Sequence, residues 1–92
     1  MAELTAAEAG RQGLEQIADL TGKEPEGITG VERDEDGDGW KITVEVVEDR
    51  RIPSSSDILA TYQTLIGPDG ELASYRRVRR YSRGRGDDGG GG

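Results

Sequence analysis

The sequence predicts an α+β fold, an N-terminal helix packed on a four-stranded antiparallel sheet whose strands follow one another in chain order, with a disordered Gly-rich tail. Two observations predict it. Apolar residues recur at helical spacing near the N terminus and then switch to a period of two. Short polar turns, DEDGDG and GPDG, join the first and the last pair of period-two segments, so each pair reads as a hairpin.

The helix is expected over residues 6–21. Thr5 followed three residues later by Glu8 is a capping box, and Gly22 stands where a helix stops. Gly10, Gly13, Leu14, Ile17, Leu20 and Thr21 fall toward one side, whereas Arg11, Glu15, Gln16 and Asp19 populate the other. A short first strand is expected at residues 28–33, after Pro25 and Gly27. In the second strand, Trp40, Ile42, Val44 and Val46 alternate with Lys41, Thr43 and Glu45, a strong strand signal. Pro53 breaks the polar connection EDRRIPSSSD, because it has no amide hydrogen to give to a ladder. A third strand follows at residues 58–66 and a long fourth at residues 71–83. Strict alternation along the fourth puts Leu72 and Val78 on one side and Tyr75, Arg77, Arg79, Tyr81 and Arg83 on the other. The expected core is Trp40, Ile42, Val44, Val46, Tyr62, Leu72 and Val78 against Leu14, Ile17 and Leu20. Residues 1–83 are expected to form a single domain, and residues 84–92, with nothing apolar to bury, a disordered tail.

Composition narrows the chemistry. A chain of 92 residues without cysteine or histidine lacks the usual zinc ligands, thiol nucleophiles and imidazole bases, so neither an enzyme nor a cofactor is expected. The start carries no basic, apolar leader, no apolar run approaches spanning length, and no disulfide can form; a cytoplasmic location is the expectation. The net charge of −7 hides an asymmetry: residues 1–75 carry −11 and residues 76–92 carry +4. A basic end on an acidic body suits a nucleic acid, an acidic protein, or the chain's own acids.

Four motifs compete for attention. Residues 34–45, DEDGDGWKITVE, match the ligand spacing of a calcium loop, with Asp34, Asp36 and Asp38, Gly39 and Glu45 in place. The alternation after Gly39 keeps the chain extended, however, and at about 3.3 Å per residue Glu45 stands about 20 Å along the strand from Gly39. It cannot close a coordination shell, so an acidic hairpin turn is expected and no metal site. Arg85-Gly86-Asp87 has the form of an integrin-recognition tripeptide, but it falls in the tail of a chain expected inside the cell. Ser54 to Ser56 lack a histidine to activate them.

The fourth motif is YRRVRRYSRGRG. Its arginines and tyrosines, with the Arg50-Arg51 connection, make a candidate partner-binding surface of Arg50, Arg51, Tyr75, Arg77, Arg79, Tyr81 and Arg83. An acidic partner protein is the first reading, and a phosphate-tracking nucleic-acid platform with Tyr75 and Tyr81 as stacking surfaces is the alternative. The plain alternative is a solvated edge strand whose arginines pair with Glu45, Glu48 or Asp49.

Three stretches together resemble a known family: GLEQIADLTGKEPEGITGVER, GWKITVEVVEDRRIPSSSDILATYQ and DGELASYRRVRRYSRG, covering most of residues 13–84. The combination of Trp40, VEVVE, Arg51-Ile52-Pro53, LATY and YRRVRRY is similar to gas vesicle protein O of the actinobacterial type. The resemblance implies a non-enzymatic accessory protein needed to build gas vesicles, working with other accessory vesicle proteins, with no catalytic residue to carry over. It also implies, as an alternative, a regulator of vesicle gene expression. A mean hydropathy of −0.74 and four aromatic residues are too polar for a shell subunit that faces gas, which favours an assembly factor associated with vesicles.

Overall fold

The computed structural model describes residues 4–35 and 37–85. One helix, α1 (Ala6–Thr21), lies on one face of a sheet built from β1 (Glu24–Arg33), β2 (Trp40–Asp49), β3 (Ile58–Ile66) and β4 (Leu72–Ser82), antiparallel throughout and in the order β1-β2-β3-β4. A single 3₁₀ turn, Ser54–Ser56, interrupts the β2–β3 connection after a cis Ile52–Pro53 peptide. A second, Arg83–Arg85, follows β4. Residues 86–92, most of the expected tail, and Asp36 of the first turn lie outside the described residues.

The capping box forms as the sequence asks. The Glu8 N–H donates to Thr5 Oγ1 at 3.1 Å, and the Thr5 N–H donates to Glu8 Oε1 at 2.9 Å. Each bond satisfies a donor that the first helical turn leaves without a partner. The helix ends at Gly22, φ 72°, whose N–H reaches the Ala18 carbonyl.

The core is Ala9 and Ile17 from α1 against Ile42, Val44 and Val46 of β2 and Ala60 and Ile66 of β3, with Leu4, Leu14, Trp40, Tyr62 and Leu72 packed around it. The alternation in β2 is what aims three consecutive branched side chains at the helix. Gly13 lets the two layers close: a Cβ there would stand 3.0 Å from Ile42 Cγ2 and 3.2 Å from Thr64 Oγ1. On the far face Val47 and Leu59, register neighbours, are buried next to Tyr81.

Three expectations need correction. The first strand begins at Glu24, not at residue 28, running through Pro25 and Gly27. It does so as an edge strand with two register shifts, between Pro25 and Gly27 and between Ile28 and Gly30, where proline and glycine are tolerated. Val78 and Leu20 are not core; they are 43% and 55% exposed. Val78 is the extra residue of a bulge, because Thr61 pairs with Arg79 while the next residue, Tyr62, pairs with Arg77. Leu20 sits near the last turn of the helix, where the covered part of the sheet runs out.

Candidate functional site

The bulge at Val78 decides what β4 presents. A residue inserted into one strand reverses the inward and outward sides beyond it. Up to the bulge, Tyr75 pairs with Thr64 and Arg77 with Tyr62, so both stand on the helix side. Beyond it, Arg79 pairs with Thr61 and Tyr81 with Leu59, and these two stand on the far side. Arg80, opposite Ala60, returns to the helix side. The single Arg/Tyr ladder expected from strict alternation is therefore two half-ladders on opposite faces.

On the helix side, the rings of Tyr75 and Tyr62 are 6.1 Å apart at a tilt of 46°. Arg77 and Arg80 converge on the carboxylate of Glu48, Nη1 at 3.1 Å and Nε at 3.4 Å, and Lys23 Nζ donates to the Glu48 carbonyl at 3.4 Å. Two guanidinium groups thus share one carboxylate, and an ammonium caps the main-chain carbonyl of the same residue.

On the far side, the Arg79 guanidinium lies 4.3 Å from the centre of the Tyr81 ring, a cation–π contact. The Tyr81 hydroxyl donates to Glu45 Oε2 at 2.5 Å, and Thr61 Oγ1 donates to the same oxygen at 3.2 Å. Burial, then the hydrogen bond to Glu45, push the Tyr81 phenol up to about 12. Glu45, the closing residue of the apparent calcium loop, is therefore in mid-strand and engaged with its neighbours. Among the described residues no group of three or more acidic side chains is placed to hold a metal.

The remaining arginines meet at the end of the sheet around Asp57, only 1% exposed. The Arg51 N–H donates to Asp57 Oδ1 at 2.7 Å, Arg83 Nη2 donates to Oδ2 at 3.2 Å, and Arg50 Nη1 stands 3.9 Å away. The backbone N–H of Arg51 and then the Arg83 guanidinium hold the Asp57 carboxyl below the usual carboxylate range, against the opposing effect of burial. Arg83 also forks onto Glu26 at 2.7 and 3.2 Å, and its own N–H donates to the Asp57 carbonyl at 2.7 Å. Arg50 pairs with Glu24, and the Arg51 side chain with Asp49 at 3.0 Å. Together these bonds tie β1, the β2–β3 connection and the end of β4 to one another.

Of the seven residues singled out from sequence, Arg50, Arg51 and Arg83 form this knot, Tyr75 and Arg77 face the helix side, and Arg79 and Tyr81 face away. Sequence reasoning missed Asp57, Glu26 and Arg80. Asp57 had one available signal: it is the only acid between Arg50-Arg51 and the third strand.

The model of the family described as Gas vesicle synthesis protein GvpO matches residues 1–87 of the chain. A protein named Gas vesicle protein O from Streptomyces sp. (strain CB03234) is 50% identical over 72 residues, 78% of this chain and 55% of that protein. One of the same name from Haloferax mediterranei is 35% identical over 83 residues, 90% of this chain and 54% of the relative. Gas vesicle protein O1 of Halobacterium salinarum is 30% identical over 80 residues, 87% of this chain and 66% of the relative. The chain spans between about half and two thirds of the length of these curated relatives. No solved structure matches it.

Proposed function

The chain belongs to the gas vesicle protein O family, and from that premise we propose that it is a non-enzymatic accessory factor of gas vesicle assembly that captures another vesicle protein through β4. Membership supports a role in gas vesicle formation. The contact surface rests on one observation: β4 leaves Tyr75 45% exposed among half-exposed arginines, apolar area that a purely solvating edge strand has no use for. Tyr75 and Arg77 would make the contact on the helix side, and Arg79 would reach the partner from the far side of the same edge strand. Arg50, Arg51, Arg83 and Tyr81 would hold the strand in place through Asp57, Glu26 and Glu45. The site of action would be the cytoplasm, at growing vesicles.

The nucleic-acid reading gains less support. A net charge of −7 repels a polyanion at long range, and Arg51 and Arg83 already meet carboxylates of the chain itself. The test is co-purification from cells making gas vesicles, comparing the parent chain with a Tyr75→Ser/Arg77→Glu/Arg79→Glu variant that keeps its circular dichroism spectrum. Loss of identified vesicle proteins from the variant supports the reading. Undiminished capture, or retention of nucleic acid with a steep salt dependence in place of protein, contradicts it.

A further inference from the structure

The helix leaves the β4 side of the face it lies on uncovered. Four strands at about 4.8 Å spacing make a face about 19 Å wide, whereas a helix with its side chains is about 10 Å across. Gly10 of α1 stands against Ile28 and Val31 of β1, and Gly13 against Ile42 of β2 and Thr64 of β3, so the helix is seated toward the β1 side. Ala60, Thr64 and Ile66 of β3 are buried on this side, so the open part is the β4 side, above which no second helix stands among the described residues.

What borders that open part is chemically specific. Gln16 marks the side of α1 that looks toward β4: its Oε1 accepts from the Leu72 N–H at 2.9 Å and its Nε2 donates to the Gly70 carbonyl at 2.7 Å. Leu20, four residues on, continues the same stripe and is 55% exposed. Across the gap, the floor is half-buried Tyr62 and the 45% exposed Tyr75, with their rings in contact. At the end nearest the C terminus of α1, Arg77 and Arg80 share the single carboxylate of Glu48 and Lys23 bonds to the Glu48 main-chain carbonyl, leaving an excess of positive charge.

We propose that this groove between α1 and β4 receives an amphipathic helix of a partner protein, apolar toward Leu20, Tyr62 and Tyr75 and acidic where it meets Arg77 and Arg80. The inference rests on the interaction-module reading above and adds the form and charge of the partner. An apolar strip one helix wide, bordered by a helix on one side, matches helix-in-groove recognition. The acidic flank follows from charge complementarity with the cation cluster. A second copy of this chain fits poorly: the apolar stripe of its α1 is already buried, and its outer face carries Glu8, Arg11, Glu15 and Asp19. Strand addition fits poorly too, since two bulges interrupt the free edge of β4. A contact this small belongs with weak, transient interfaces.

The test places a photo-cross-linking amino acid at Leu20 or Tyr75 in the groove, and at Thr43 or Leu65 on the opposite face, in cells forming gas vesicles, and sequences the cross-linked peptides. The expected adducts from Leu20 and Tyr75 lie in a helical segment of another vesicle protein with Asp or Glu along one flank. Arg77→Gln/Arg80→Gln should lower their yield about tenfold or more while the chain keeps its folded circular dichroism spectrum, and Lys41→Gln, on the opposite face, should leave it unaltered. Adducts from the groove to a second copy of this chain, or to its own residues 86–92, overturn the proposal. Adducts from Thr43 and Leu65 alone overturn the groove while the interaction reading stands. No vesicle-protein adduct from any of the four positions removes both.

Discussion

Asp57 is a buried carboxylate whose charge is met on three sides by Arg50, Arg51 and Arg83. Its carboxyl titrates below its unfolded value, so the folded chain binds fewer protons there than the unfolded one. The resulting stability is present above the unfolded value of about 3.9 and is lost as the pH falls through the lower folded value. Asp57→Asn should therefore lower the urea midpoint at pH 7 and flatten the loss of stability between about pH 4 and pH 2; parallel acid limbs for the two proteins would contradict the role given to Asp57. Tyr81 works in the opposite direction. Its folded value is pushed up to about 12 from an ordinary value of 10.0, so its contribution is complete below pH 10 and is lost as the pH rises toward 12. Tyr81→Phe should lose that alkaline limb, measured by urea unfolding at pH 9 and pH 11.5. Identical pH dependence in the two chains would mean that Glu45 and burial do not hold the phenol proton as described.

At the scale of elements, the best-marked segments were the ones with punctuation at both ends. The capping box at Thr5 and Glu8 and the stop at Gly22 placed α1 at residues 6–21, and β3 at residues 58–66 followed from Pro53 before it and Gly67-Pro68 after it. Thr5→Ala removes the acceptor for the Glu8 N–H and should cost about 1 kcal/mol in chemical denaturation with an unchanged slope. β1 was legible only from residue 28, because Pro25 and Gly27 read as breakers; an edge position with bulges is the one setting in a sheet that accepts them, and edge position is not written in local sequence. The half-ladders of β4 were hidden for a related reason. Arg and Tyr identities were plain, but a bulge at Val78 carries no residue signature, so the faces of Arg79 and Tyr81 could not be read from alternation. Likewise Asp57 sits 26 residues from Arg83, and only the closure of the sheet brings the two together.

For the molecule as a whole, the acidic body and the basic end are one electrostatic object. Arg83 bonds to Glu26 and Asp57, while Arg77 and Arg80 share Glu48, so the C-terminal charge is answered in part inside the fold. Both free edges are also made awkward for pairing. β1 carries Pro25, two glycines and two bulges, and β4 carries two bulges and four arginines. The chain should accordingly show no concentration-dependent edge-to-edge association in sedimentation velocity from micromolar to submillimolar concentration; a ladder of higher species would contradict that reading of the edges. With its edges blunted, the open β4 side of the helix face is the surface that the proposal above assigns to a partner.

The account depends most on β4 serving vesicle formation and not stability alone. The direct measurement is complementation in a strain lacking this gene, scoring gas vesicles by electron microscopy. The parent chain is expected to restore them, and Tyr75→Ser/Arg77→Glu/Arg79→Glu, folded and expressed to the same level, is expected to fail. Full restoration by that variant would contradict the account.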